Sequence, residues 1–120
     1  TAEDFASWDN MKMAQSAGYT LVKEGTYYRV TTYEFIPEKF NDMIAYADGV
    51  KEDVRKIEGL NFGHVCRTSE NSATIIAQYI DEEAMTNATP KFREIMGGMR
   101  QFFTSPPNPA EAEIIWKSHN

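Results

Sequence analysis

Between residues 37 and 59 the apolar side chains recur at spacings of three and four: Phe40, Met43, Ile44, Ala47, Val50, Val54 and Ile57. That period predicts a long amphipathic helix with a single apolar stripe. Pro37 suits its first turn, where the missing N–H has no helical partner. Glu38 lies near the positive end of the helix dipole, and Arg55 and Lys56 near the negative end. Gly59 supplies the stop.

The flanking segments follow a different rhythm. Residues 27–35, YYRVTTYEF, are dominated by Tyr, Val, Thr and Phe, which suit a pleated surface. Residues 60–67 and 73–80 read as a β-hairpin joined by TSENS, and residues 112–117, AEIIWK, as a last strand. A second helical region begins at the acids Asp81–Glu83. Pro90 is expected to interrupt it, with a restart at Thr89-Pro90 and an apolar side of Phe92, Ile95, Met96, Met99, Phe102 and Phe103. SPPNP, at 105–109, predicts an extended loop. Before this pattern lie a strand expected at 19–22 and a short helix or arm carrying Phe5 and Trp8.

The order from residue 27 is thus β-α-β, β-α-β. Two such units predict an α+β fold, the ferredoxin-like βαββαβ sandwich, with both helices on one face of a four-stranded antiparallel sheet. The expected organisation is an N-terminal helix/strand extension, 1–25, and one domain, 26–120. Both faces of the strands carry large apolar groups: Ile75, Ala77 and Tyr79 alternate with Ile76 and Ile80, and Ile114 and Trp116 with Ile115. Helices cover one face. The other needs a cover, and a second copy packed sheet to sheet supplies it, so a homodimer is expected.

Composition narrows the function classes. A length of 120 residues suits one core-bearing domain. The net charge of −6 argues against a nucleic-acid partner. The single cysteine, Cys66, excludes an intramolecular disulfide and fits a reducing compartment. No stretch reaches the length of a membrane span, and the acidic start lacks the pattern of a signal peptide, so a cytoplasmic protein is expected.

The segments YYRVTTYEFIPEKFNDMIAYADGVKEDVRKIEGLNFGHVCRT, ATPKFREIMGGMRQFFTSPP and IIWK resemble the antibiotic biosynthesis monooxygenase-like family of the dimeric α+β barrel superfamily. The likeness spans about residues 27–117. It implies a pocket between helices and sheet in each subunit, and two sheets packed into a barrel. It also implies a function among cofactor-independent quinol and polyketide oxygenases, haem-degrading enzymes, or isomerase- and aldolase-like proteins. The haem-degrading branch uses a histidine on the second helix, and residues 89–103 contain none.

Several side chains are candidates for chemistry. His64 can act as the base that removes a proton from a phenol or hydroquinone; the other reading is a hydrogen-bonded, structural strand histidine. Cys66 lies two residues on, about 7 Å along an ideal strand, too far to be activated by His64. The pair supplies only two of the three or four ligands a metal needs, so no metal is expected; the resemblance to cofactor-independent oxygenases implies no cofactor. On the second helix, Met96 and Met99 flank Gly97-Gly98 beside Phe92. Two glycines cost a helix on the order of 1 kcal/mol each, which points either to space for an apolar ligand or to close helix packing. Arg29, Arg67, Tyr33, Tyr79 and Trp116 lie on strands, where an arginine can hold a carboxylate or phenolate and a tyrosine can orient an oxygen. The expected site is His64 as base, with Tyr33, Phe92, Met96, Met99, Trp116 and Arg67 around an apolar or aromatic ligand. Function is expected to be cofactor-independent oxidation of a phenolic, quinol or polyketide-like substrate. The alternative is a non-catalytic carrier for a hydrophobic molecule such as a fatty acid.

Overall fold

The structure, a computed structural model, describes residues 25–119. The chain divides into a compact unit, Gly25–Ile114, and a second unit to which Ile115 and the residues after it belong. The strand expected at 19–22 and the arm carrying Phe5 and Trp8 lie outside the described residues.

The compact unit runs β1 (Tyr27–Glu34), a 3-10 turn (Pro37–Lys39), α1 (Phe40–Arg55), β2 (Leu60–Ser69), β3 (Ser72–Tyr79), α2 (Glu82–Met99), a second 3-10 turn (Arg100–Phe102) and β4 (Asn108–Glu113). The sheet order is β2-β3-β1-β4, with every neighbouring pair antiparallel. This is the ferredoxin-like arrangement, with both helices on one face.

The phase of β1 sets that face. Arg29, Thr31, Tyr33 and Phe35 are buried beneath the helices, while Thr32 and Glu34 are exposed. One core cluster joins Tyr33, Phe35 and Ala73 to Met43 of α1 and to Met99 and Phe102. A second joins Ala77 and Tyr79 to Ala84, Met85 and Ala88 of α2. The clusters fill the two ends of the helix face and leave its middle, around Thr31 and Ile75, to be lined rather than filled.

Helix α2 is continuous through Pro90 rather than restarting there. The Asp81 carboxylate caps it by accepting from the Ala84 N–H at 2.8 Å. Pro90 removes the bond that would run to the Thr86 carbonyl, a loss that costs about 3 kcal/mol in an isolated helix. Tertiary contacts outweigh it. The Thr89 hydroxyl donates to the Met85 carbonyl at 3.2 Å, Arg29 donates to that carbonyl at 3.2 Å, and three residues of this half-helix are buried in the second cluster.

Strand β4 lies earlier than its apolar residues suggest. It pairs Asn108 with Thr32 and Glu113 with Tyr27, so it ends where β1 begins, and Ile115–Lys117 lie beyond. Pro109 stands inside it opposite Thr31, which is tolerated because β4 is an edge strand and needs no N–H on its outer side. Among the described residues no helix is long and apolar enough to cross a membrane.

Candidate active site

The middle of the helix face holds a cavity of about 270 Å³. Its floor is Arg29 and Thr31 of β1, Ile75, Ala77 and Tyr79 of β3, and Gly63 and Val65 of β2. Its roof is the Tyr46–Val54 stretch of α1 and Phe92, Ile95, Met96 and Met99 of α2. Asp48, Lys51, Gly63 and Val65 are exposed, so the cavity opens between α1 and the edge strand β2. A β-carbon built on Gly63 meets nothing within 4 Å, which keeps that mouth wide.

The walls are apolar with one buried charge. Arg29 is 3% exposed. One of its terminal nitrogens, Nη2, donates to the Met85 carbonyl and, at 2.7 Å, to the Thr89 hydroxyl. The guanidinium carbon lies 4.3 Å from the centre of the Phe92 ring and 5.7 Å from that of Tyr79. Burial raises the Tyr79 pKa above its ordinary value, and the Arg29 cation pulls it part of the way back. The Tyr46 hydroxyl, also raised by burial, donates to the Ile95 carbonyl at 2.8 Å and fixes α1 against α2.

The two glycines of α2 divide the sequence's question between them. Gly98 has Tyr46 where its β-carbon would be, so it permits close helix packing. Gly97 has open space there and lines a second cavity of about 440 Å³. Opposite responses to alanine are therefore expected. Gly97→Ala should raise stability by up to about 1 kcal/mol through helix propensity. Gly98→Ala should lower it, because Tyr46 must swing away and give up Ile95. Paired urea melts check this; equal shifts at both positions would contradict the packing described.

No protein-family model and no curated protein sequence matches the chain. Solved structures do. A monooxygenase from Streptomyces coelicolor, solved in complex with the ligand nanaomycin D, superposes with a TM-score of 0.67 over 80% of this chain and 93% of its own, at 17% identity. A candidate antibiotic biosynthesis monooxygenase from Caulobacter crescentus gives 0.65 over 78% and 93%, at 16% identity. A dimeric ferredoxin-like protein from an uncultured marine organism gives 0.66 over 82% and 95%, at 9% identity. The fold is that of the antibiotic biosynthesis monooxygenase-like proteins.

On this monooxygenase-like fold the expected site residues fall in different places. Phe92, Met96 and Met99 come together on the cavity roof. Tyr33 is packed in the neighbouring core cluster, its hydroxyl donating to Met43 Sδ at 3.5 Å. Arg67 is farther along the same face, 4.3 Å from the Phe40 ring centre, donating to the Ser69 and Glu70 carbonyls. Trp116 is 78% exposed and belongs to the second unit. His64 pairs across β3 with Ile76 and β1's Val30, on the open face of the sheet, with its ring centre 4.6 Å from that of Phe62. Its imidazole is on the face away from the cavity. Cys66, on that face too, is exposed. Among the described residues no cluster of three or more His, Cys, Asp or Glu is placed to hold a metal ion. Arg29 and Tyr79, strand candidates left out of the expected site, line the cavity, as do Thr31 and Tyr46, which the sequence did not mark. The signal for Arg29 is its phase: it alternates in step with Tyr33 and Phe35.

Proposed function

We propose that the chain is a homodimeric, cofactor-independent monooxygenase holding a phenolic, quinol-type or polyketide-like aromatic substrate in the cavity between helices and sheet. The cavity itself carries this reading. Its volume is nearly twice the ~150 Å³ of an apolar cavity that takes benzene, so a fused-ring compound fits. Phe92, Met96, Met99 and Tyr79 offer ring edges and polarisable sulfur to an aromatic body, and they exclude water from it.

In this reaction class the substrate supplies every electron. An activated methylene beside a phenol loses both hydrogens; one atom of O₂ enters carbon as a carbonyl and the other leaves as water with those hydrogens. The four electrons lost by carbon match the four that O₂ accepts. The chain's own part is to orient the ring, keep water out and stabilise the electron-rich substrate.

Dimerisation is supported by the open sheet face, where Val30, Ile76 and Phe62 have no cover among the described residues of the compact unit, and by the dimeric neighbour of the same fold. The test is oxygen uptake with a panel of quinols and phenols and no added cofactor. Uptake with at least one member, yielding one oxygenated carbon per O₂, is expected. His64→Ala should leave that rate unchanged, because the imidazole lies on the far side of the sheet. Ligand binding without uptake across the panel would make the protein a carrier instead.

A further inference from the structure

The cavity contains a cation that the fold does not fully employ. Arg29 Nη1 is buried and has no hydrogen-bond partner, and the same is true of Thr31 Oγ1. The two side chains are neighbours on one face of β1, two residues apart. Among the described residues no carboxylate pairs with Arg29; its guanidinium touches Met85, Thr89, Phe92 and Tyr79. Leaving a buried guanidinium without a counter-charge is strongly unfavourable, and each unsatisfied buried polar atom adds its own desolvation penalty. A purely structural role, tying β1 to the Pro90 turn of α2, uses only Nη2. It explains neither the free Nη1 nor the free hydroxyl.

Arg29 and Thr31, with Phe92 and Met96, also form the wall that the two cavities share. The second cavity lies toward β4 and is lined by Arg93, Arg100 and Glu111 as well. Three arginines against one glutamate make this the cationic side of a chain whose net charge is −6. The local field draws anions where the molecule as a whole repels them.

We infer that Arg29 Nη1 and Thr31 Oγ1 form an oxyanion subsite, so that the molecule in the cavity is an acid: an apolar, aromatic body carrying a carboxylate or phenolate oxygen buried against β1. This rests on the proposed function and specifies its substrate class. The anion supplies the counter-charge that Arg29 lacks and accepts from both unpartnered donors, while the ring packs against Phe92 and Met96. In the oxidation proposed above, the same contacts hold the substrate as the electron-rich anion.

The experiment compares naphthoate with the neutral, nearly isosteric naphthamide on the wild-type protein, by calorimetry at low and at high salt. A buried charge-assisted pair predicts that naphthoate binds about tenfold to a hundredfold tighter, and salt should barely change the ratio. Thr31→Val should narrow the preference. Arg29→Met should abolish it while naphthamide still binds. Because Arg29 also ties β1 to α2, its variant can fail to fold, and the ligand pair on the wild type decides without it. Equal binding of acid and amide overturns the oxyanion subsite but leaves the aromatic cavity standing. A preference that vanishes at high salt belongs to the exposed Arg93 and Arg100 and overturns the assignment to Arg29. If neither compound binds, the cavity reading and the subsite fall together.

Discussion

Phe35→Ala should cost the fold about 3–5 kcal/mol, the range for truncating a buried phenylalanine. Phe35 has no exposed surface. Its ring centre is 6.1 Å from that of Tyr33 and 6.0 Å from that of Phe40, and the Arg67 guanidinium lies 5.6 Å away. Its backbone N–H donates to the Asn71 carbonyl at 2.9 Å, and it bridges to Phe103. The ring thus joins the end of β1 to the start of α1 and to Arg67 of β2, while the backbone ties in the β2–β3 turn and the segment after α2. Alanine removes the ring and leaves a cavity that these elements cannot close without moving apart. Against a domain stability of about 5–15 kcal/mol, the loss is a large fraction of the total. Urea unfolding monitored by far-UV circular dichroism measures it. A loss under about 1 kcal/mol would show that the site collapses around the change and that this end of the core is not close-packed.

The features legible in the sequence were those with a local cause. The apolar stripe of α1 follows from side-chain period alone, and Gly59 does end the connection after it, at φ 81°. The phase of β1 was not legible, because both faces of YYRVTTYEF carry large side chains; the helices that bury Arg29, Thr31, Tyr33 and Phe35 decide it. Pro90 and β4 were harder because a distant partner decides each. Arg29 on β1 holds Met85 and Thr89 just before the proline, and the start of β1, not the apolarity of Ile114–Trp116, sets where β4 stops.

The position of His64 shows why the site was only partly legible. Leu60 pairs with Tyr79, yet Phe62 pairs with Gln78, so one residue is inserted at Asn61. Without that bulge, Phe62 and His64 would share the helix face with Leu60, and the imidazole would point at the cavity. A one-residue shift sends every later side chain to the opposite face until the next irregularity. Nothing in NFGHVCR announces it. Arg29 failed to stand out for a different reason. Its strand was plain but its face was not, and a strand arginine reads as a surface or interface ion pair until the structure buries it with no acid facing it among the described residues.

The same bulge makes the open face more apolar by placing Phe62 beside Tyr28, their ring centres 6.5 Å apart. The row Val30, Ile76 and His64 crosses the sheet on that face. If a second copy packs there, Ile76→Lys should separate the dimer. In an isologous interface both protomers carry the change, so two ammonium groups are taken into one desolvated sandwich. Burying charge without a partner costs about 3–5 kcal/mol, which weakens dimerisation roughly a thousandfold. The monomer should still fold, because Ile76 is only half-buried within one chain and a lysine there can run its stem along the sheet and keep its charge in water. Sedimentation velocity on wild type and variant, with circular dichroism as the fold control, reads the outcome. A folded variant that sediments as a dimer would move the interface off this face and leave Phe62, Val30 and Ile76 to be covered by something other than a second sheet.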